Sequence, residues 1–132
     1  MMRRTGLVLP WIWLIPLSAV LAGQATDITG KWVGETVFMG STDMDRVTLA
    51  LEKQGDSYSG TISDSLGLIK NAPIESVRFE NDNLRFKFTA AVGGREVKMR
   101  AALNLFTGRL IGAWATDEGT HAYGSIELER TK

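Results

Sequence analysis

LRFKFTAAVGGREVKMRAALNLF, from Leu84 to Phe106, is the stretch whose reading decides the fold. Alternating apolar and polar residues flank Gly93-Gly94, a dipeptide suited to the positive φ angles of a tight hairpin turn. With these glycines at the tip, Phe88 stands opposite Met99, Phe86 opposite Ala101 and Leu84 opposite Leu103. Side chains alternate faces along a strand, so a misplaced tip would mix apolar and charged residues on one face. Here the apolar set stays together, and the other face carries Arg85, Lys87, Glu96, Lys98 and Arg100. The stretch is therefore an antiparallel hairpin with one face in a core and one in water.

The same rule extends in both directions. Strands are expected at 30–38, 45–53, 58–64, 73–80, 84–92, 95–105, 109–116 and 120–130, joined by Gly-, Asn- or Asp-containing turns such as Asn81-Asp82-Asn83. A Thr107-Gly108 tip sets Leu103 opposite Gly112 and Ala101 opposite Trp114. A Gly55-Asp56 tip sets Leu51 opposite Gly60 and Leu49 opposite Ile62. A three-residue loop at 117–119 would set Gly112 opposite Gly124 and Leu110 opposite Ile126. Ile74 and Val77 differ in parity, which implies a bulge in the fourth strand. Ile111, Ala113 and Tyr123 are apolar residues expected on the outer face. Eight consecutive antiparallel strands sharing one apolar face should close on themselves, because closure removes the unpaired edges. The expected fold is all-β, an eight-stranded up-and-down barrel.

Residues 1–25 read differently. Arg3 and Arg4 precede an uncharged run from Leu7 to Ala22, the pattern of a secretory signal peptide. The run is shorter than the roughly 18 to 20 residues that span a bilayer, and no positive stop-transfer cluster follows it. Cleavage after Ala22 and cleavage after Ala25 both suit the small-residue rule. Gln24 occupies the position where a lipoprotein signal needs cysteine. The expectation is an exported chain, periplasmic or extracellular, with no stable membrane insertion and with residues 26–132 as a single barrel domain.

Lys and Arg balance Asp and Glu at 15 each, and the leader removes two arginines and no acid. A slightly acidic domain has no electrostatic attraction for nucleic acid, so no nucleic-acid partner is expected. The chain has no cysteine, so burial and strand pairing alone must hold the fold.

Closure sets the first strand beside the last, antiparallel, so that Trp32 meets Arg130. A guanidinium stacked over the indole would seal the barrel floor. In Gly30-Lys31-Trp32 and Arg130 the chain resembles the calycins, lipocalin-like barrels marked by a Gly-x-Trp on the first strand and an arginine late in the last. This resemblance implies a barrel that encloses a small ligand. Ile28-Thr29-Gly30-Lys31-Trp32 and Ser59-Gly60-Thr61-Ile62-Ser63-Asp64 are also similar to the first strands of avidin-type barrels. Where that family places polar biotin contacts, this chain has Gly34 and Ile62, so biotin is not the expected ligand.

Small inward residues (Gly34, Thr36, Gly112, Ala122, Gly124) gather on neighbouring strands, and bulky ones (Phe79, Phe86, Phe88) gather across the barrel. Either the rings fill the space above the glycines, or an apolar pocket lies between the two walls, open at the end away from Trp32. Its candidate lining is Gly34, Phe38, Leu49, Ile62, Phe86, Phe88, Met99, Gly112, Trp114 and Gly124. No Ser-His-Asp set, metal spacing, phosphate loop or inward carboxylate pair is read, so neither catalysis nor a cofactor or metal is expected. His121 reads as a solvated neighbour of the last turn. Asp43 and Asp45 read as a solvated hairpin tip in preference to a calcium site. The functional expectation is a carrier or sensor of a small apolar ligand. The alternative is an interaction module with a packed interior, partner of another exported protein.

Overall fold

The computed structural model describes residues 26–38, 42–118 and 122–131. The expected signal peptide and His121 lie outside the described residues. Nine strands follow in order: β1 (Gly30–Phe38), β2 (Met44–Gln54), β3 (Ser57–Asp64), β4 (Ala72–Pro73), β5 (Glu75–Glu80), β6 (Asn83–Val92), β7 (Arg95–Phe106), β8 (Arg109–Thr116) and β9 (Tyr123–Arg130). They form one antiparallel sheet in the order β4-β3-β2-β1-β9-β8-β7-β6-β5, curled into a nearly closed up-and-down barrel. No helix among the described residues is long and apolar enough to cross a membrane.

The β6–β7 hairpin pairs Leu84, Phe86 and Phe88 with Leu103, Ala101 and Met99, the register its glycines imply. Gly93 and Gly94 both take positive φ, 59° and 79°, which residues with a Cβ adopt only at a cost. The β7–β8 and β2–β3 registers also match the sequence reading.

Two details differ. The expected fourth strand is divided: Pro73 lacks an N–H to extend the ladder, Ser76 takes a positive φ of 52°, and the pairing of β5 with β6 shifts between Glu75 and Arg78. As a result β4 belongs to one edge of the sheet and β5 to the other, so the chain itself crosses the seam. Near the floor, Tyr58 of β3 meets Phe79 of β5 edge to face at 5.9 Å. At the other end the Ala91 amide of β6 donates to the Leu68 carbonyl, 2.7 Å away, in the β3–β4 loop. These contacts close the seam where no continuous strand ladder does.

The second difference is in the β8–β9 register. Gly112 faces Ile126, Leu110 faces Leu128 and Trp114 faces Gly124. The connection runs from residue 117 to residue 122, with the Thr116 amide donating to the Ala122 carbonyl at 3.0 Å. A loop longer than three residues moves the register by two, which keeps every side chain on its expected face but separates Gly112 from Gly124.

Candidate functional site

The interior has two halves. At the floor, Ile28, Trp32, Leu51, Leu84, Leu103, Leu110 and Leu128 are at most 2% exposed and pack into one cluster. Trp32 pairs with Arg130 across β1 and β9, as the closure argument requires. The Arg130 guanidinium carbon lies 4.7 Å from the indole centroid. Its Nη2 donates to the Asp27 carbonyl at 2.7 Å, and the Trp32 Nε1 donates to the Ile28 carbonyl at 3.0 Å. The chain leading into β1 is thereby drawn across the barrel bottom.

The other end, which carries the β1–β2, β3–β4, β6–β7 and β8–β9 connections, encloses a cavity of about 170 Å³. Its walls come from β1 (Thr36, Phe38), β2 (Asp45, Val47), β3 (Ile62, Asp64), β6 (Phe86, Phe88, Ala90, Val92), β7 (Met99, Ala101), β8 (Trp114) and β9 (Ile126), with Ala122 just before β9. Leu68 and Ile69 of the β3–β4 loop close the side over the seam. Among the candidate lining residues, Phe38, Ile62, Phe86, Phe88, Met99 and Trp114 are therefore brought together around the space.

Gly34, Leu49, Gly112 and Gly124 are not part of that wall. Leu49 is fully buried in the core cluster away from the cavity. A Cβ on Gly34 would overlap the Glu127 carbonyl, and one on Gly112 would overlap the Ala102 carbonyl. These glycines sit where a neighbouring strand's backbone presses against them, so they serve strand coiling and leave no free space. At Gly124 a Cβ would lie 2.7 Å from Cζ2 of Trp114, whose indole occupies the space above the glycine. That indole meets Phe38 edge to face at 4.9 Å and donates from Nε1 to Thr36 Oγ1 at 2.6 Å. Thr36 Oγ1 in turn donates to the Ser125 carbonyl at 2.6 Å. Trp114 is fixed as the inner boundary of the cavity.

Two polar residues in the wall correct the sequence reading. Asp45 is 2% exposed and points inward with Val47 and Leu49, so it is not part of a solvated tip. Its Oδ1 accepts from the Ser65 amide at 3.1 Å, the Ser65 hydroxyl at 2.8 Å and the Leu66 amide at 3.2 Å. Asp64, at the end of β3, accepts from the Ile69 amide at 2.9 Å through Oδ1. Its Oδ2 is buried without a hydrogen-bond partner. Burial first, and then the neighbouring Asp45 carboxyl, push the Asp64 carboxyl up to about 6. An inward carboxylate pair is thus present where none was read. Asp45 was visible as a member of the alternating apolar face of β2. Asp64 shares the face of Ile62, but its burial depends on the returning loop, which no local pattern announces.

Among the described residues, no group of three or more His, Cys, Asp or Glu side chains is placed to hold a metal ion. Chemically, the arrangement is a small hydrocarbon-walled chamber in a nearly closed antiparallel barrel, with one acidic corner. No protein-family description, curated protein or solved structure matches this chain.

Proposed function

We propose that the protein is an exported, non-catalytic, calycin-like barrel that carries or senses a small apolar molecule in the mouth half of its interior. The observation that carries this reading is the cavity of about 170 Å³ bounded by Phe38, Ile62, Phe86, Phe88, Met99 and Trp114. Packed interiors rarely leave voids larger than a water molecule, and an apolar void of about 150 Å³ is enough to take up benzene. The expected occupant is correspondingly small, a single ring or a short branched chain. Trp32 joined to Arg130, together with the strand order, supports the calycin comparison. The apolar leader supports export.

The test is titration of the purified protein with ethylbenzene while tryptophan fluorescence is followed, since Trp114 borders the cavity and Trp32 does not. Saturable quenching or a spectral shift lost in Trp114→Phe supports the carrier. Absence of saturable binding favours the interaction module. That second reading has its own observation: Tyr123, 48% exposed, borders a shallow outer depression with Ala102, Ala113 and Ala115.

A further inference from the structure

The wall of the cavity is not held equally all the way round. From β3 through β2, β1, β9, β8 and β7 to β6 it is a continuous ladder, so parting two neighbours there breaks a row of backbone hydrogen bonds together. At the seam the ladder stops. Its floor half is fixed by Tyr58 against Phe79, and the Tyr58 hydroxyl also accepts from the Ile28 amide at 3.2 Å. Its mouth half is covered by residues 65–71 in place of a strand. There Leu68 and Ile69, both half-buried, line the cavity, as do Ala90 and Val92 of β6.

The hydrogen bonds of this segment are shared unequally between the two sides of the seam. The Ser65 amide donates to the Arg46 carbonyl at 2.9 Å, and Asp45 Oδ1 gathers the Ser65 hydroxyl and the Ser65 and Leu66 amides. The Asp64 amide donates to the Ile69 carbonyl at 3.1 Å, and the Ile69 amide returns to Asp64 Oδ1. Beyond Asn71 the chain pairs again with β3, Ala72 opposite Ile62. All these bonds lead back to β2 and β3, the wall from which the segment springs. Across the seam, among the described residues, a single bond is made by the segment, from the Ala91 amide to the Leu68 carbonyl. Gly67 and Asn71, with φ of 82° and 48°, bracket the stretch that carries this latch. A flap rooted twice on one wall and latched once to the other opens locally at far less cost than any strand pair around the barrel.

We propose that residues 65–71 are the lid of the cavity, and that a ligand enters and leaves through the seam, between this lid and β6, when the Leu68–Ala91 bond breaks. Asp45 holds the root of the lid to β2 while the end bearing Leu68 swings. The proposal rests on the carrier reading of the same cavity and adds the route to it. Lid motion sets the rate of exchange, whereas the chamber sets the affinity.

Fluorobenzene followed by fluorine NMR reports both quantities on the purified protein. The chain has no cysteine, so a Leu68→Cys, Ala91→Cys pair can be joined across the latch by oxidation, or by dibromobimane where the sulfurs do not meet, and the bridge checked by intact mass. The bridged protein is expected to exchange the probe about tenfold or more slowly than the same variant with its thiols free. In the opposite direction, Asp45→Ala strips the Ser65 and Leu66 bonds from the root of the lid and should speed exchange about tenfold while changing affinity much less. Asp45→Asn takes its place if the alanine variant fails to fold. Equal exchange in the bridged and thiol forms would overturn the lid and leave the carrier reading standing, with entry assigned to the end between the β1–β2 and β8–β9 connections. An unchanged rate in a folded Asp45 variant would overturn it in the same way. No saturable binding of fluorobenzene to the wild-type protein would remove both.

Discussion

The two ends of the barrel are built from the same alternating strands and reach opposite outcomes. At the floor, leucines from β2, β6, β7, β8 and β9 converge on Trp32, and Arg130 covers the indole from outside. At the mouth, the second inward tryptophan, Trp114, lies over Gly124 and is held by Thr36, and the small Ala101 separates it from Phe86 two strands away. The difference is where the large side chains stand relative to the small ones. A tryptophan surrounded by leucines completes a core, whereas a tryptophan tied to a wall beside alanines leaves a chamber. Closure and stability therefore belong to the floor, and capacity belongs to the mouth.

The largest expected effect that could break this comparison is at Trp32. Trp32→Ala should destabilise the protein by about 3 to 5 kcal/mol, as for other buried large aromatics. Denaturant melts measure it, and a cost near zero would mean that the floor is not the structural half. Next comes Gly124→Leu, expected to cost about 1 to 3 kcal/mol or more, because the new side chain must displace Trp114 or the Val37 carbonyl. Ala90→Val, in contrast, adds methyls toward the chamber. It should leave stability unchanged or raise it by about 0.5 to 2 kcal/mol while weakening binding of a ring-sized probe. Equal penalties at Gly124 and Ala90 would erase the distinction between a filled and an unfilled position.

Smaller effects sharpen the same picture. Arg130→Ala should cost about 0.5 to 1 kcal/mol alone and almost nothing once Trp32 is alanine, since an exposed cation over a ring has that magnitude and the two residues interact. At the mouth, the folded-state pKa of Asp64 is raised to about 6, above its unfolded value of 3.8, so the folded protein binds the extra proton between those limits. Asp64 therefore favours folding at the acid end of that window and loses this contribution as pH rises through about 6. Relative to wild type, Asp64→Asn should gain stability across the same rise. Thermal melts of both proteins at several pH values read the difference directly.

Most of the barrel is legible because its turns are chemically explicit. Gly93-Gly94, Gly55-Asp56 and Thr107-Gly108 each fix a register, and alternation then assigns every neighbour to a face. The β8–β9 connection lacks such a tip, and because a shift of two residues preserves parity, the pairing of Gly112 with Gly124 passed the alternation test while being wrong. Divided pairing around Pro73 and Ser76 was visible only as a parity break between Ile74 and Val77. An inward glycine does not reveal in sequence whether it faces space or a neighbouring carbonyl, as at Gly34, since that depends on how tightly the strands coil. The acidic corner escaped for a different reason: an aspartate beside a turn is usually solvated, and the loop that buries Asp45 and Asp64 returns from residues 65–71.

Methyl NMR of the protein titrated with ethylbenzene tests the division of the interior most directly. Ile62, Ala90, Met99 and Ile126 line the chamber, whereas Leu51, Leu103 and Leu110 belong to the packed floor. The expected result is saturable shifts confined to the first group, with the floor leucines unmoved. Shifts spread evenly over both groups, or none at saturating probe, would contradict a filled floor beneath an open mouth.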